Sequence, residues 1–303
     1  MAQIHEIDDM LRGIRRAVDR AVRRLPKRPP QPGRPPVPLA DVAKAILVQQ
    51  YFQTANRQTE GLLLLFREKL GLSTDFSYKT IERAYERPEV RALLEEVFGL
   101  TLEAAREIET GIGVDGTGLP KSTKRNYESD KRQDEHVEMV QYAVGLETKL
   151  IVGIQQLKGR NENATFAQVL EGVPQFPCVE KVVADAQYVN RLNCAIVDGL
   201  GAEPYFFPKR GLSFKRFGVD AWPRMLHGFV NDPQRWLREY HARSLTETVN
   251  SVVKRDYPVP LRRRIPQRRA TEVLARGVAY NLKRGGYLSY LLGLVPAWDE
   301  WSA

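Results

Sequence analysis

Four side chains in the C-terminal third, Tyr240, Arg243, Glu247 and Lys254, fall at offsets of 0, 3, 7 and 14 residues. At about 100° per residue these offsets return to one helical stripe about 60° wide. A helix here would present a phenol, two cations and a carboxylate side by side. Arg243 and Glu247 alone would form an ordinary i,i+4 ion pair on a solvated face. Two aspartates upstream give the stripe chemical meaning. Asp115 closes the run Gly111-Ile112-Gly113-Val114, and Asp185 closes Val182-Val183-Ala184. Each apolar run reads as a buried strand, and small residues follow each acid. Open α/β sheets place ligands at the C-terminal ends of strands, although turns and helix caps also use Asp. Three carboxylates without a Cys or His cluster suit hard divalent ions, Mg2+ or Mn2+, rather than zinc.

Positioning such groups requires strands and helices in a definite order. Strand signals cover 111–115, 137–146, 150–156, 181–184 and 204–207, and helix signals cover 164–170, 188–200 and 233–254. The order is three strands, a helix, a strand, a helix, a strand and a helix. It resembles the ribonuclease H fold, an α/β mixed sheet flanked by helices. In that fold the first acid sits on the first strand, the second just after the fourth strand, and the third on a late helix. Asp115, Asp185 and Glu247, with Tyr-x2-Arg-x3-Glu-x6-Lys around the third, resemble the catalytic core of DDE-type transposases of bacterial and archaeal insertion sequences, in the group carrying this signature. The resemblance covers roughly residues 30 to 285 and includes Gly33-Arg34-Pro35-Pro36, Val114-Asp115-Gly116-Thr117-Gly118, Arg243-Ser244 and Tyr280-Asn281-Leu282.

The resemblance implies that Asp115, Asp185 and Glu247 are catalytic and hold two Mg2+ (or Mn2+) ions about 3.5–4 Å apart, with Asp115 bridging. It implies cleavage at element ends and strand transfer into a target. Arg243 and Lys254 would grip phosphates beside the scissile bond, and Tyr240 would stack on a base or bond a phosphate. The partners implied are double-stranded DNA, namely terminal inverted repeats and target, and a second copy of the chain assembled on that DNA. Asp185 and Glu247 lie 62 positions apart, which leaves little room for the large β-rich insertion some relatives carry there. Two other classes use the same pattern. A ribonuclease H-like metal-dependent nuclease or junction resolvase needs the three acids without strand joining. A domesticated, non-catalytic DNA-binding protein keeps the fold and loses an acid, whereas all three are present here.

Composition fits these expectations. The 303 residues suit one catalytic domain plus appendages, and 43% hydrophobic with 27% charged residues is ordinary for a chain that buries a core. A net charge of +9 and a pI near 9.5 favour a polyanionic partner. Cys178 and Cys194 are the only cysteines, with no CxxC and no paired histidines, so neither a disulfide scaffold nor a zinc finger is expected. No apolar run approaches the length of a membrane span and no signal-peptide core is seen, so the expected setting is the cytoplasm, at the prokaryotic nucleoid.

Residues 1–25 space Ile4, Ile7, Leu11, Ile14, Val18, Ala21 and Leu25 as an amphipathic helix, either a short coiled coil or a helix packed on its own chain. Residues 26–38 form a Pro-rich basic linker, with Gly33-Arg34-Pro35 as a minor-groove arm or a plain spacer. Residues 39–110 read as helices over 39–53, 57–70, 78–87 and 90–108. The Gly71–Phe76 turn makes the middle pair a helix-turn-helix-like DNA-binding domain that points Tyr78, Lys79 and Arg83 at DNA, or else a plain helical bundle. The catalytic domain spans 111–258. Its polar stretch after the first strand carries Lys121, Lys124 and Arg125, which reach phosphates or only solvent; Asp130 and Asp134 follow no strand and are not chosen. Residues 259–303 are a basic helical segment. Arg262, Arg263, Arg264, Arg268 and Arg269 form a dense cationic run suited to phosphates, and a helix over 271–284 is expected to cover the catalytic sheet.

Overall fold

Apolar residues at three- and four-residue spacing build the first helices. In the computed structural model, which describes residues 2–26, 36–121, 137–157, 159 and 161–299, the chain divides into one unit of residues 1–104 with 261–303 and another of residues 105–260. The first unit begins with α1 (Ala2–Arg24), α2 (Leu39–Phe52), α3 (Asn56–Leu65), α4 (Arg67–Leu70), α5 (Tyr78–Ala84) and α6 (Pro88–Leu102). The α1 stripe of Leu11, Ile14, Val18 and Ala21 is buried, and α1 packs on α2 and α6 of its own chain. Helix α2 is apolar all round and central, and even its Lys44 is buried, paired with Asp19 at 2.7 Å. The helix expected over 57–70 breaks at Phe66, whose φ of −101° and ψ of 11° leave the helical region. Helix α4 then ends on Gly71 at φ 59°, where a side chain would be strained. Pro88 opens α6 rather than preceding it, because its missing N–H lies in a turn that needs none.

The second unit is built on a five-stranded mixed sheet in the order β3-β2-β1-β4-β5. Strands β1 (Gly111–Pro120), β2 (Val137–Gly145) and β3 (Ile151–Gln156) form an antiparallel meander, while β4 (Lys181–Ala184) and β5 (Glu203–Phe206) run parallel to β1. This order and these directions agree with the resemblance drawn from the sequence. Ile112, Val114, Val182, Val183 and Ala184 are fully buried, as central parallel strands require. One expectation is corrected: β1 does not stop at Asp115 but continues to Pro120, because β2 pairs with it along its whole outer half, from Asp115 opposite Tyr142 to Pro120 opposite Val137.

The helices of this unit are α7 (Phe166–Val169), α8 (Arg191–Gly199), α9 (Ala221–Asn231), α10 (Pro233–His241) and α11 (Ser244–Asp256). The sequence reading assigned nothing to the stretch that forms α9. The single helix expected over 233–254 is two. At Ala242 and Arg243 the backbone switches to i→i−3 bonds, such as Arg243 N–H to Tyr240 O at 3.0 Å and Thr246 N–H to Arg243 O at 2.9 Å. The stripe from Tyr240 to Lys254 is therefore not one uninterrupted helical face.

The last helix, α12 (Pro266–Leu292), packs on α1, α2 and α6 in the first unit. This corrects its expected place over the sheet. An apolar stripe shows that a helix is covered but not by what. It also runs past Gly285-Gly286, since Gly285 lies under the Trp298 ring, where an added Cβ would stand 2.7 Å from the indole. The segment 27–35 with Gly33-Arg34-Pro35, together with Lys124, Arg125, Asp130 and Asp134, lies outside the described residues. Among the described residues no helix is long and apolar enough to cross a membrane.

Candidate active site

The sheet register brings the two aspartates together. Parallel pairing of β1 with β4 runs from Gly111 opposite Lys181 to Val114 opposite Ala184. Asp115, which stays in β1, and Asp185, which follows β4, are the next residues on each side, so they stand next to one another where the two strands part. Asp185 also caps the short 3-10 turn Ala186–Tyr188, its Oδ1 accepting from Gln187 N–H at 2.7 Å. It thus fills the capping role and still stands at the strand end.

The third acid comes on α11, which lies close to β1 because Gly113 has no side chain: a Cβ there would overlap the Thr246 methyl. Thr246, Val249, Asn250 and Val253 are the buried face of the helix. Asn250, one turn after Glu247, donates from Nδ2 to Asp115 Oδ2 at 2.8 Å. Glu247 is half exposed and accepts from Arg243 Nη2 at 2.6 Å. Arg243 in turn stands beside Tyr240, opposing the rise that burial gives that phenol's pKa. The Tyr240 ring stacks on Trp236 with centroids 5.3 Å apart and meets Phe207 at 5.4 Å, so part of the surface expected to receive a base is taken by its own chain.

A fourth acid, Glu162, escaped the sequence reading. It is buried at the start of a 3-10 turn (Glu162–Thr165) ahead of α7, and its carboxylate lies over Gly116, where a Cβ would overlap it. The Tyr188 hydroxyl donates to it. Its setting, Asn161-Glu162-Asn163, reads as ordinary loop, and no periodicity marks it.

The electrostatics follow from this crowding. Burial pushes the Asp115 carboxyl up to about 6; Arg243 opposes the shift, and Glu162, Asp185 and Glu247 add to it. Burial also raises Glu162, against the Tyr188 hydrogen bond, and Asp185 reinforces the rise. Burial works against the Arg243 cation, yet Tyr240, Glu247, Asp115 and Asp185 outweigh it and hold its pKa above the ordinary value. Among the described residues of this group, four carboxylates face one guanidinium. Asn250 Oδ1 is buried and without a partner among the described residues. Such a set of hard oxygen donors in excess negative charge fits a divalent cation. Among the described residues no three acids are already closed around a single cation position.

The other cations divide into free and committed ones. Lys254 is exposed on the last turn of α11 and makes no ion pair among the described residues. In the helical unit, Lys79 and Arg83 are exposed one turn apart on α5, while Tyr78 sits under the Arg57 guanidinium at 5.1 Å. The arginine run is largely turned to its own chain, which corrects its reading as a phosphate-facing patch. Arg263 is buried. Its guanidinium stacks 3.9 Å from the Tyr85 ring centroid and donates to Gln49 Oε1 at 2.7 Å and Asn56 Oδ1 at 2.8 Å. Arg268 pairs with Glu82 and Glu86 at 2.9 and 2.6 Å. Arg262 and Arg264 remain exposed, Arg262 with one bond to Gln53 O at 3.0 Å.

Comparison with known proteins finds the chain 31% identical over 253 residues to a probable transposase for insertion sequence element ISA1214 of Archaeoglobus fulgidus, covering 82% of this chain and 76% of that protein. No family model matches the sequence.

Proposed function

As this chain belongs to the insertion-sequence transposases, we propose that it is a DDE-type enzyme that cleaves phosphodiester bonds at element ends and joins the freed strand to target DNA. One observation carries the reading: Asp115 and Asp185 immediately follow the paired stretch of two adjacent parallel strands, and the helix bearing Glu247 is pinned to Asp115 by Asn250. Asp115, Asp185 and Glu247 would hold two Mg2+ (or Mn2+) ions. When bound, the ions lower the pKa of an attacking water or 3′-hydroxyl and neutralise charge on the phosphate.

The chain's own groups do the rest. The β1–β4 register fixes the two aspartates on rigid strands, which limits their reorganisation during the reaction. Arg243 is the cation nearest the acids, and a phosphate is as good a partner for a guanidinium as a carboxylate. An incoming strand can therefore replace Glu247 on Arg243 and leave that carboxylate free. Lys254, on the same helix, extends the positive edge. In the helical unit, the exposed Lys79 and Arg83 on α5, with Arg262 and Arg264, would bind the element's terminal repeats, and a dimer would form on that DNA.

The test is a product assay. A labelled duplex from the DNA flanking the gene is incubated with the chain, Mg2+ and a target plasmid. A labelled strand covalently joined to the plasmid supports the proposal. Cleaved ends that never become joined would replace it with a ribonuclease H-like nuclease or resolvase.

A further inference from the structure

We propose that Glu162 is a fourth carboxylate of the same centre, holding divalent metal together with Asp115 and Asp185. This inference rests on reading those residues as a metal-dependent site.

The carboxylate is set down between the neighbours of both aspartates. It lies over Gly116, the residue after Asp115, and any side chain at position 116 would expel it. It also lies beside Gln187, the residue whose backbone N–H holds Asp185. The turn that carries it is fixed from several directions. Gln141, opposite Gly116 in the β1–β2 register, donates to Glu162 O at 3.1 Å and to the Tyr188 hydroxyl at 3.0 Å. Asn163 Nδ2 donates to Gln187 O at 3.0 Å, and its Oδ1 accepts from Asn190 and Asn193 at 3.0 and 2.7 Å.

The chemistry of the residue is out of proportion to a structural role. The hydrogen bond from the Tyr188 hydroxyl could be accepted by a neutral amide at lower desolvation cost. A carboxylate buried beside two others instead adds repulsion, and among the described residues Arg243 is the cation that opposes it. The buried Asn250 Oδ1, on the amide that bonds Asp115, has no hydrogen-bond partner among the described residues and is a further oxygen donor left unused beside the acids. A bound cation removes both penalties.

The test is calorimetric titration of Mn2+ into the full-length, DNA-free chain, with thermal melting in EDTA as a fold control. Glu162→Gln is expected to lower Mn2+ affinity by about tenfold or more, with the melting temperature in EDTA unchanged or raised because repulsion is relieved. Asp115→Asn is expected to lose Mn2+ binding. If Glu162→Gln binds Mn2+ as the wild type does while Asp115→Asn does not, Glu162 is structural and the inference is wrong, though the centre stands. If Asp115→Asn also binds normally, the reading of the centre itself fails. Should Glu162→Gln not fold, Tyr188→Phe keeps the acid but removes its hydroxyl partner. Weakened Mn2+ binding there supports the inference, and wild-type affinity overturns it.

Discussion

Asn250 donates its side-chain amide to Asp115 at 2.8 Å across 135 positions of sequence, joining the helix of one acid to the strand of another. The bond orients Asp115, and it makes the α11 position sensitive to the charge of that carboxylate. Replacing Asn250 with Ala takes the amide donor from a half-buried carboxylate and should destabilise the chain by about 1–3 kcal/mol, measured by urea denaturation in EDTA. An effect below about 0.5 kcal/mol would mean that the bond does not anchor the helix.

The raised pKa of Asp115 has a consequence for stability in the metal-free chain. The carboxyl titrates near 6 when folded against an ordinary value of 3.8, so the folded chain holds that proton more tightly than the unfolded one. Its contribution to stability is fully present below the unfolded value and is lost as pH rises through about 6. Relative to Asp115→Asn, the wild type in EDTA should lose about 1–2 kcal/mol between pH 4 and pH 7, after allowing for solvent screening of a half-buried group. Excess Mg2+ should reverse the loss. Parallel pH profiles for the two proteins would contradict this.

What could be read from the sequence, and what could not, divides along physical lines. Asp115 and Asp185 stood out because apolar runs ended on them, and strand order followed from local patterns. Glu162 and Asn250 were invisible because their importance comes from partners distant in sequence, Gly116 and Tyr188 for the one and Asp115 for the other, and no local spacing encodes such a meeting. Arg263 was misread for the same reason. A run of arginines looks alike whether its members face solvent or, as Arg263 does, lie buried on the face of Tyr85.

That difference gives a paired prediction. Arg263→Ala removes a buried stacked cation and leaves Gln49 and Asn56 short of a donor, so it should cost about 2–4 kcal/mol of stability. Arg264→Ala should leave the melting transition in place and flatten the salt dependence of DNA binding by about one counterion. Equal stability losses in the two variants would show that both are structural.

Arg243 and Lys254 separate the ion-pair account from the phosphate-clamp account. Lys254 is exposed and makes no ion pair among the described residues, so Lys254→Ala should barely change stability, whereas Arg243→Ala also removes the cation facing the acids and should lower stability in EDTA. Under the proposed function both should sharply reduce cleavage and strand joining at physiological salt. Wild-type strand joining by Lys254→Ala would remove it from the clamp.

The central claim is that Asp115, Asp185 and Glu247 act together in Mg2+-dependent DNA cleavage, and the most direct measurement compares Asp115→Asn, Asp185→Asn and Glu247→Gln. Each is assayed for retention of the gene's flanking DNA and for cleavage of that DNA in Mg2+. The account predicts that all three retain the DNA about as the wild type does and that none cleaves it. Wild-type cleavage by any one of the three would contradict it.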